Sequence, residues 1–394
     1  MSKRTVIGRR NLLVGLTSVG LSFSILGRSI VFGFPAEWKS MQPVQDSKIK
    51  ILQQSIVFSH PSSDPYDLKN LYGFNHAASV VALPDGRLLA AWFSGPFEAS
   101  VHQLILASYS ADQGMTWTAA QVFQDTPRTS DFDPAFIADG KRIWFFFAVG
   151  RWNRYPRVKD EKNEVGVNSF KVFQRHSDDS GRTWSQPEVI YENAGAGCRS
   201  NGIKLSTGEL ILPVHGYLNP VAGVLKSIDG GRTWKRYGEI TTTTVAHEPS
   251  CAELSTGEIM MVLRTGDGFL WQAFSKDKGE TWSPAEKTQI VAVQSSHNLF
   301  RLKDGRILLT HNPSKTVRTP LTMRISADGG KSWGDPTVIA EVPVPDKDSV
   351  AWAREVSYPS VTALNDDTLI VVWGELYLSN DEQYGDIHST RVQV

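Results

Sequence analysis

The amino-acid sequence predicts an all-β chain, a six-bladed β-propeller, and three observations predict it. One phrase recurs five times: SADQGMTW at 110–117, SDDSGRTW at 177–184, SIDGGRTW at 227–234, SKDKGETW at 275–282 and SADGGKSW at 326–333. A second pattern, apolar strand, polar turn, apolar strand, recurs six times. Its turns are Asp85-Gly86, Asp139-Gly140, Thr207-Gly208, Thr256-Gly257, Asp304-Gly305 and Asp366-Asp367. No segment carries the long amphipathic period of a helix.

The repeated phrase reads Ser-x-Asp-x-Gly-x-Thr/Ser-Trp. Its copies are spaced 67, 50, 48 and 51 residues apart, which suits an array of small β-units. Asp accepts from turn N–H groups and Gly takes positive φ, so the phrase is a tight turn. The Trp is large enough to fill the gap between neighbouring units. The second pattern gives a hairpin per unit. In the first five units a third strand enters the Asp motif and a fourth leaves it, so each unit is a four-stranded blade. The sixth lacks the motif and ends on DIHSTRVQV at 386–394. Its missing strand is assigned to IKILQQSIVF at 49–58, which would close the ring and remove an open edge. One domain is expected from about 45 to 394, because repeats bury surface against their neighbours and form one array.

Residues 1–33 read as an export leader. Arg9-Arg10 precedes the apolar run at 12–27, as in twin-arginine signals. No small-x-small cleavage site follows, so a retained membrane anchor is an alternative. The whole chain has 41 basic and 41 acidic residues. Removing the leader's five basic residues leaves 36 against 41, which argues against a nucleic-acid partner. The two cysteines, Cys198 and Cys251, are compatible with a disulfide or with two buried thiols. No zinc-type spacing and no phosphate-binding glycine loop is present, so no metal or cofactor is expected.

In a propeller the first strand of every blade lines the axis. Counting back seven to ten residues from each hairpin turn gives His76, Asp131 and Asp133, Arg199, Glu248, His297 and Tyr358. Seven residues beyond the turns of blades three and four stand His215 and Arg264. Acids, bases and cations gathered at one mouth suit a polar substrate. His247, by strand alternation, faces away from Glu248 and is expected to be structural.

Three segments resemble the sialidase (neuraminidase) family over nearly the whole expected domain. HEPSCAELSTGEIMMVLR is similar to the segment in which a Glu precedes an Arg by sixteen residues, here Glu248 and Arg264. TVRTPLTMRISADGG places the last arginine of the family's triad on Arg318, and SYPSVTALNDDTLIVVW places the nucleophilic tyrosine on Tyr358. The resemblance implies that arginines grip a substrate carboxylate, Glu248 activates Tyr358, and an acid protonates the leaving group. Two departures fall in blade one. FNHAASVVALPDG holds His76 where the first arginine would stand, and the only carboxylate in SGPFEASVHQ, where the acid would lie, is Glu98. Arg199, His215, His297, Asp131 and Asp133 remain candidate substrate contacts. The expectation is an exported exo-glycosidase for a glycan ending in an acidic sugar such as sialic acid. The alternatives are a uronate lyase using His76 or Tyr358 as base, and a propeller that binds a carbohydrate or protein without catalysis.

Overall fold

The computed structural model describes residues 24–25, 28–29, 49–60, 72–152, 167–193, 196–217, 219–344, 353–378 and 383–394. The chain divides into two compact units, Met1–Pro43 and Val44–Val394. In the first, the described residues form a short antiparallel pair, Ser24–Ile25 with Arg28–Ser29. The rest of the expected leader lies outside the described residues.

The second unit is a six-bladed β-propeller, and every blade is antiparallel. The innermost strands are Phe74–Ala82, Ser130–Asp139, the split pair Ala196–Gly197 and Ile203–Lys204, His247–Glu253, Asn298–Arg301 and Ala353–Ala363. Strand Lys50–Phe58 pairs antiparallel with Gln383–Gln393, with Ile387 opposite Phe58 and Gln393 opposite Lys50. The first described strand of this unit thus completes the last blade.

Six apolar clusters hold the ring together, one at each junction between neighbouring blades. This is the packing expected where each blade buries its faces only against its neighbours. The Asp-motif tryptophans reach backward to the preceding blade. Trp117 Nε1 donates to Ser389 Oγ at 3.1 Å, Trp234 Nε1 to Gln174 Oε1 at 2.8 Å, and Trp184 meets Phe123 edge-on at 5.1 Å.

The five motifs share one hydrogen-bond pattern. The motif Ser hydroxyl accepts from the Gly N–H at 2.8 Å in every copy. The Asp carboxylate accepts from the N–H and O–H of the Thr or Ser four residues on. Gly231 shows why glycine is required. Its φ is +81°, and a Cβ there would stand 2.3 Å from Trp144 of the preceding blade.

Two departures from regular strands matter for the axis. Blade three's inner strand breaks between Gly197 and Ile203, where its residues bond to blades one and two instead. Asn201 Nδ2 donates to Val80 O at 2.9 Å, and Asn201 Oδ1 accepts from Phe136 N at 2.9 Å. The inner strands of blades one, two, four and six each shift register through a bulge, between His76/Ser79, Phe132/Ala135, His247/Ser250 and Ser357/Ser360.

Hydrogen bonds from Thr233 and Ser227, against a small opposing effect of burial, lower the Asp229 carboxyl to about 2. A carboxyl depressed by folding adds stability above its unfolded value near 4 and loses it as pH falls toward 2. Asp229→Ala is expected to lower Tm by roughly 2 °C at pH 7, to lose that difference progressively as pH falls from about 4 to about 2, and to leave the folded protein's turnover unchanged. Differential scanning calorimetry against pH, with an activity assay, checks this. A stable but inactive variant would contradict a purely structural motif.

Candidate active site

The bulges decide what faces the axial mouth. Each inserts one extra residue in the left-handed region: Ala77 at φ +55°, Asp133 at +51°, Glu248 at +41° and Tyr358 at +58°. Such backbone strain concentrates at functional sites. In three of the four the next residue is proline, Pro134, Pro249 and Pro359. Proline has no N–H to leave unpaired where the ladder is interrupted.

Arg199 holds two of these bulges from below. Its Nη2 donates to Tyr358 O at 2.9 Å and Ala78 O at 3.1 Å, and its Nη1 to Ser79 Oγ at 3.2 Å. The side chain is among the largest fully buried ones, and its guanidinium lies 5.2 Å from the Tyr358 ring centre. Arg199, expected as a substrate contact, is thus a brace beneath the site.

Above it opens a cavity of about 350 Å³, lined among others by His76, Glu98, His215, Glu248, Arg264, Arg318 and Tyr358. At its floor Tyr358 Oη donates to Glu248 Oε1 at 3.1 Å. Arg264 Nη1 donates to the same carboxylate oxygen at 2.6 Å and to Tyr358 Oη at 2.7 Å. Arg318 pairs with Glu355 at 2.8 Å, donates to Gln294 O at 3.1 Å, and carries its guanidinium 5.4 Å from the Tyr358 ring centre. The His76 and Tyr358 rings lie 4.0 Å apart. Several buried polar atoms at this cavity have no protein partner: His76 Nδ1, both His215 ring nitrogens, Glu248 Oε2 and Arg264 Nε. Buried polar groups are ordinarily bonded, so this set suits a polar ligand.

The charges are tuned by burial and by one another. Burial alone would raise Glu248, but Arg264, aided by His215 and Arg199, outweighs it and holds the carboxyl well below the usual range. Burial raises the Tyr358 phenol well above its ordinary value, against the pull of Arg264. The resting pair is a carboxylate and a neutral phenol. Burial, then Arg318 and Arg199, lowers His76 well below the ordinary imidazole value. The site therefore presents a neutral imidazole, in place of the protonated one that would pair with a carboxylate. Burial lowers His215 to about 3.

Glu98 sits exposed at the rim. Its carboxyl is raised, by loss of water toward the pocket and by Glu248, against Arg318. Asp131, Asp133 and His297 are buried and are not part of the cavity lining. Asp131 accepts from Thr126 N at 2.9 Å, and His297 Nε2 bonds Val262 O at 2.9 Å. Asp133 bonds Tyr217, which does line the cavity. Cys198 and Cys251 are both free and buried. Among the described residues no His/Cys/Asp/Glu group is arranged to hold a metal.

His247, Tyr217 and Glu355 line the cavity, though the sequence had not placed them there. His247 corrects a definite expectation. The bulge after it breaks strand alternation, so His247 and Glu248 reach the same cavity. The Glu-Pro dipeptide is the one sequence signal for that bulge. Tyr217 and Glu355 lie outside the counted registers, in a strand extension and a blade edge.

A family description, BNR repeat-like domain, matches residues 86–377. The chain belongs to that family, as a divergent member of the sialidase propeller superfamily. It is 27% identical over 301 residues to a sialidase of Bacteroides fragilis (strain YCH46), covering 64% of this chain and 53% of that protein. It is 26% identical over 334 residues to a sialidase of Micromonospora viridifaciens, covering 76% of this chain and 49% of that one. This BNR repeat-like chain thus spans about half the length of these curated relatives. Among solved structures, a protein of unknown function from Dyadobacter fermentans superposes with a TM-score of 0.68 at 18% identity, over 88% of this chain and 99% of that one. The Hadza microbial sialidase Hz136 gives 0.64 at 20%, over 82% and 66%. These likenesses show the fold.

Arg199→Met keeps length but removes three buried hydrogen bonds and leaves two bulge carbonyls unpaired. The expected cost is about 3 kcal/mol, read as a lower denaturation midpoint with an unchanged m-value. A loss below about 0.5 kcal/mol would mean that Arg199 does not brace the bulges.

Proposed function

We propose that this BNR repeat-like protein is an exported, sialidase-like exo-glycosidase for a terminal acidic sugar. The observation that carries the reading is Tyr358 Oη held between the Glu248 carboxylate and the Arg264 guanidinium. A phenol is a poor nucleophile at neutral pH, and an adjacent carboxylate relieves that by taking its proton as attack begins. Arg264 and Arg318 offer guanidinium forks for a substrate carboxylate. A carboxylate arriving on Arg264 competes with Glu248 for the same cation. Glu248 then becomes more basic when substrate is bound, and the base is switched on by the group that identifies the substrate. His76 and His215 are neutral and supply hydrogen bonds to sugar hydroxyls.

The sialidase relatives support the glycan class, and the three matched segments support the residue roles. The lyase alternative would use His76 or Tyr358 as base with the same arginines on the substrate carboxylate; the Glu248 carboxylate beside the Tyr358 phenol favours the nucleophile role. The test is hydrolysis of a 4-nitrophenyl α-glycoside of sialic acid. Tyr358→Phe is expected to lower kcat by about 10³-fold or more while a product-type sugar still binds within about threefold. Mass spectrometry of wild type treated with a fluorinated substrate should find the sugar on the peptide holding Tyr358. Near-wild-type turnover by Tyr358→Phe would overturn the nucleophile. An ultraviolet-absorbing unsaturated product from a uronate polymer would favour the lyase.

Export through Arg9-Arg10 is part of the proposal. Replacing both with Lys is expected to retain the protein in the cytoplasm of a bacterial host, measured by cell fractionation. An unchanged distribution would exclude the twin-arginine route.

A further inference from the structure

We propose that Tyr217, backed by Asp133, is the proton donor to the leaving group in this site. The proposal rests on the hydrolase reading above and assigns its unfilled role. Asp133 occupies the same left-handed bulge position in blade two that Glu248 and Tyr358 occupy in blades four and six. The backbone device that presents the nucleophile and its base therefore presents a third ionisable group. Asp133 is buried, and its Oδ2 shares a hydrogen bond with Tyr217 Oη. Tyr217 lines the cavity with Tyr358, so the phenol connects the buried acid to the substrate space. Its ring is fixed by Phe170, stacked at 4.6 Å, and by His215 at 4.7 Å. Glu98, the acid expected from the sequence, sits exposed on the rim, and among the described residues nothing hydrogen-bonds its carboxyl.

The groups acting on Asp133 are Arg199, Glu248, Tyr217 and Glu98, while the Cys198 thiol bonds its carbonyl; Asp131, on the same strand, bonds the turn at Thr126. Burial raises Asp133 to about 7; Arg199 opposes this and Glu248 reinforces it. At mildly acidic pH the group is a carboxylic acid. As the Tyr358 oxygen bonds the anomeric carbon, the bond to the glycosidic oxygen breaks. Tyr217 gives its proton to that oxygen, Asp133 reprotonates Tyr217, and Glu248 holds the Tyr358 proton. In the second half, water loses a proton through Tyr217 to Asp133 and its oxygen bonds the anomeric carbon as the bond from that carbon to the Tyr358 oxygen breaks, and Glu248 returns the proton to Tyr358. One water is consumed, and every group returns to its starting state.

Two leaving groups separate this from a structural role, since a nitrophenolate needs no acid and a sugar alcohol does. Tyr217→Phe and Asp133→Asn are expected to lose about 10²-fold or more in kcat/KM on a sialyl-lactose, and less than about tenfold on the nitrophenyl glycoside. Asn tolerates the left-handed φ, so Asp133→Asn keeps the fold. In wild type, kcat/KM on the sialyl-lactose should fall as pH rises through about 7. Asp133→Asn should lack that limb. Equal losses on both substrates, or a leaving-group-selective loss in Glu98→Gln alone, would overturn the proposal. Carbon-13 NMR of labelled aspartate reads the pair without turnover. Burial also raises Asp131 to about 7, so the informative signal is the one that Asp133→Asn removes: its titration near 7, displaced in Tyr217→Phe, supports the pair, and loss in Asp133→Asn of only an ordinary carboxyl near 4 overturns it. Failure of wild type to cleave any acidic-sugar glycoside would instead sink the hydrolase reading.

Discussion

The site depends on one buried guanidinium. Bulges in the inner strands turn Glu248 and Tyr358 toward the mouth, but each bulge frees backbone groups that the ladder would have paired. Arg199 answers two bulges at once, bonding the carbonyls of Ala78 and Tyr358. A fully buried charge is tolerable only when its donors are satisfied. Here both terminal nitrogens are bonded, Nη2 to the two bulge carbonyls and Nη1 to Ser79 Oγ. The strain at Tyr358 and the burial of Arg199 are thus two halves of one arrangement, and blade three breaks its inner strand to deliver it.

Around that brace the electrostatics are self-limiting. Arg264 holds Glu248 ionised and hydrogen-bonds Tyr358, so Glu248 and Arg264 form a charge pair in which Glu248 has little basicity. Glu355 occupies Arg318 in the same way. Both cations are engaged and oriented before any substrate arrives, which reduces the entropy lost on binding. In the proposed reaction a substrate carboxylate shares them, whereas a neutral sugar would leave the pairs unaltered; charge recognition and activation of the base would then reside in the same contact.

Much of this fold was written in local patterns. The Asp motif is legible because each of its interactions lies within a few residues: Ser227, Asp229, Gly231 and Thr233 bond one another. Hairpin turns recur for the same reason. The closing strand was legible because the last blade was one strand short and an unassigned strand lay at 49–58. Glu248, Arg264, Arg318 and Tyr358 were found by segment likeness. Their convergence on one cavity follows from equal heights on a closed ring.

Other assignments needed the third dimension. His247 was placed away from the site by alternation, which a bulge reverses. Arg199 and Asp133 carried the right residue types at the right height, yet one became a brace and the other a partner of Tyr217. Glu355 and Tyr217 were invisible because no repeat register contains them. The sequence by itself determined the blade number, the ring closure and which strands meet at the axis, since these rest on short-range turn chemistry and period-two burial. Only the tertiary structure decided which polar side chains face the cavity and in which protonation state. Those depend on bulges that shift alternation by one residue, and on charges from four or five separate blades brought within a few ångströms of one another.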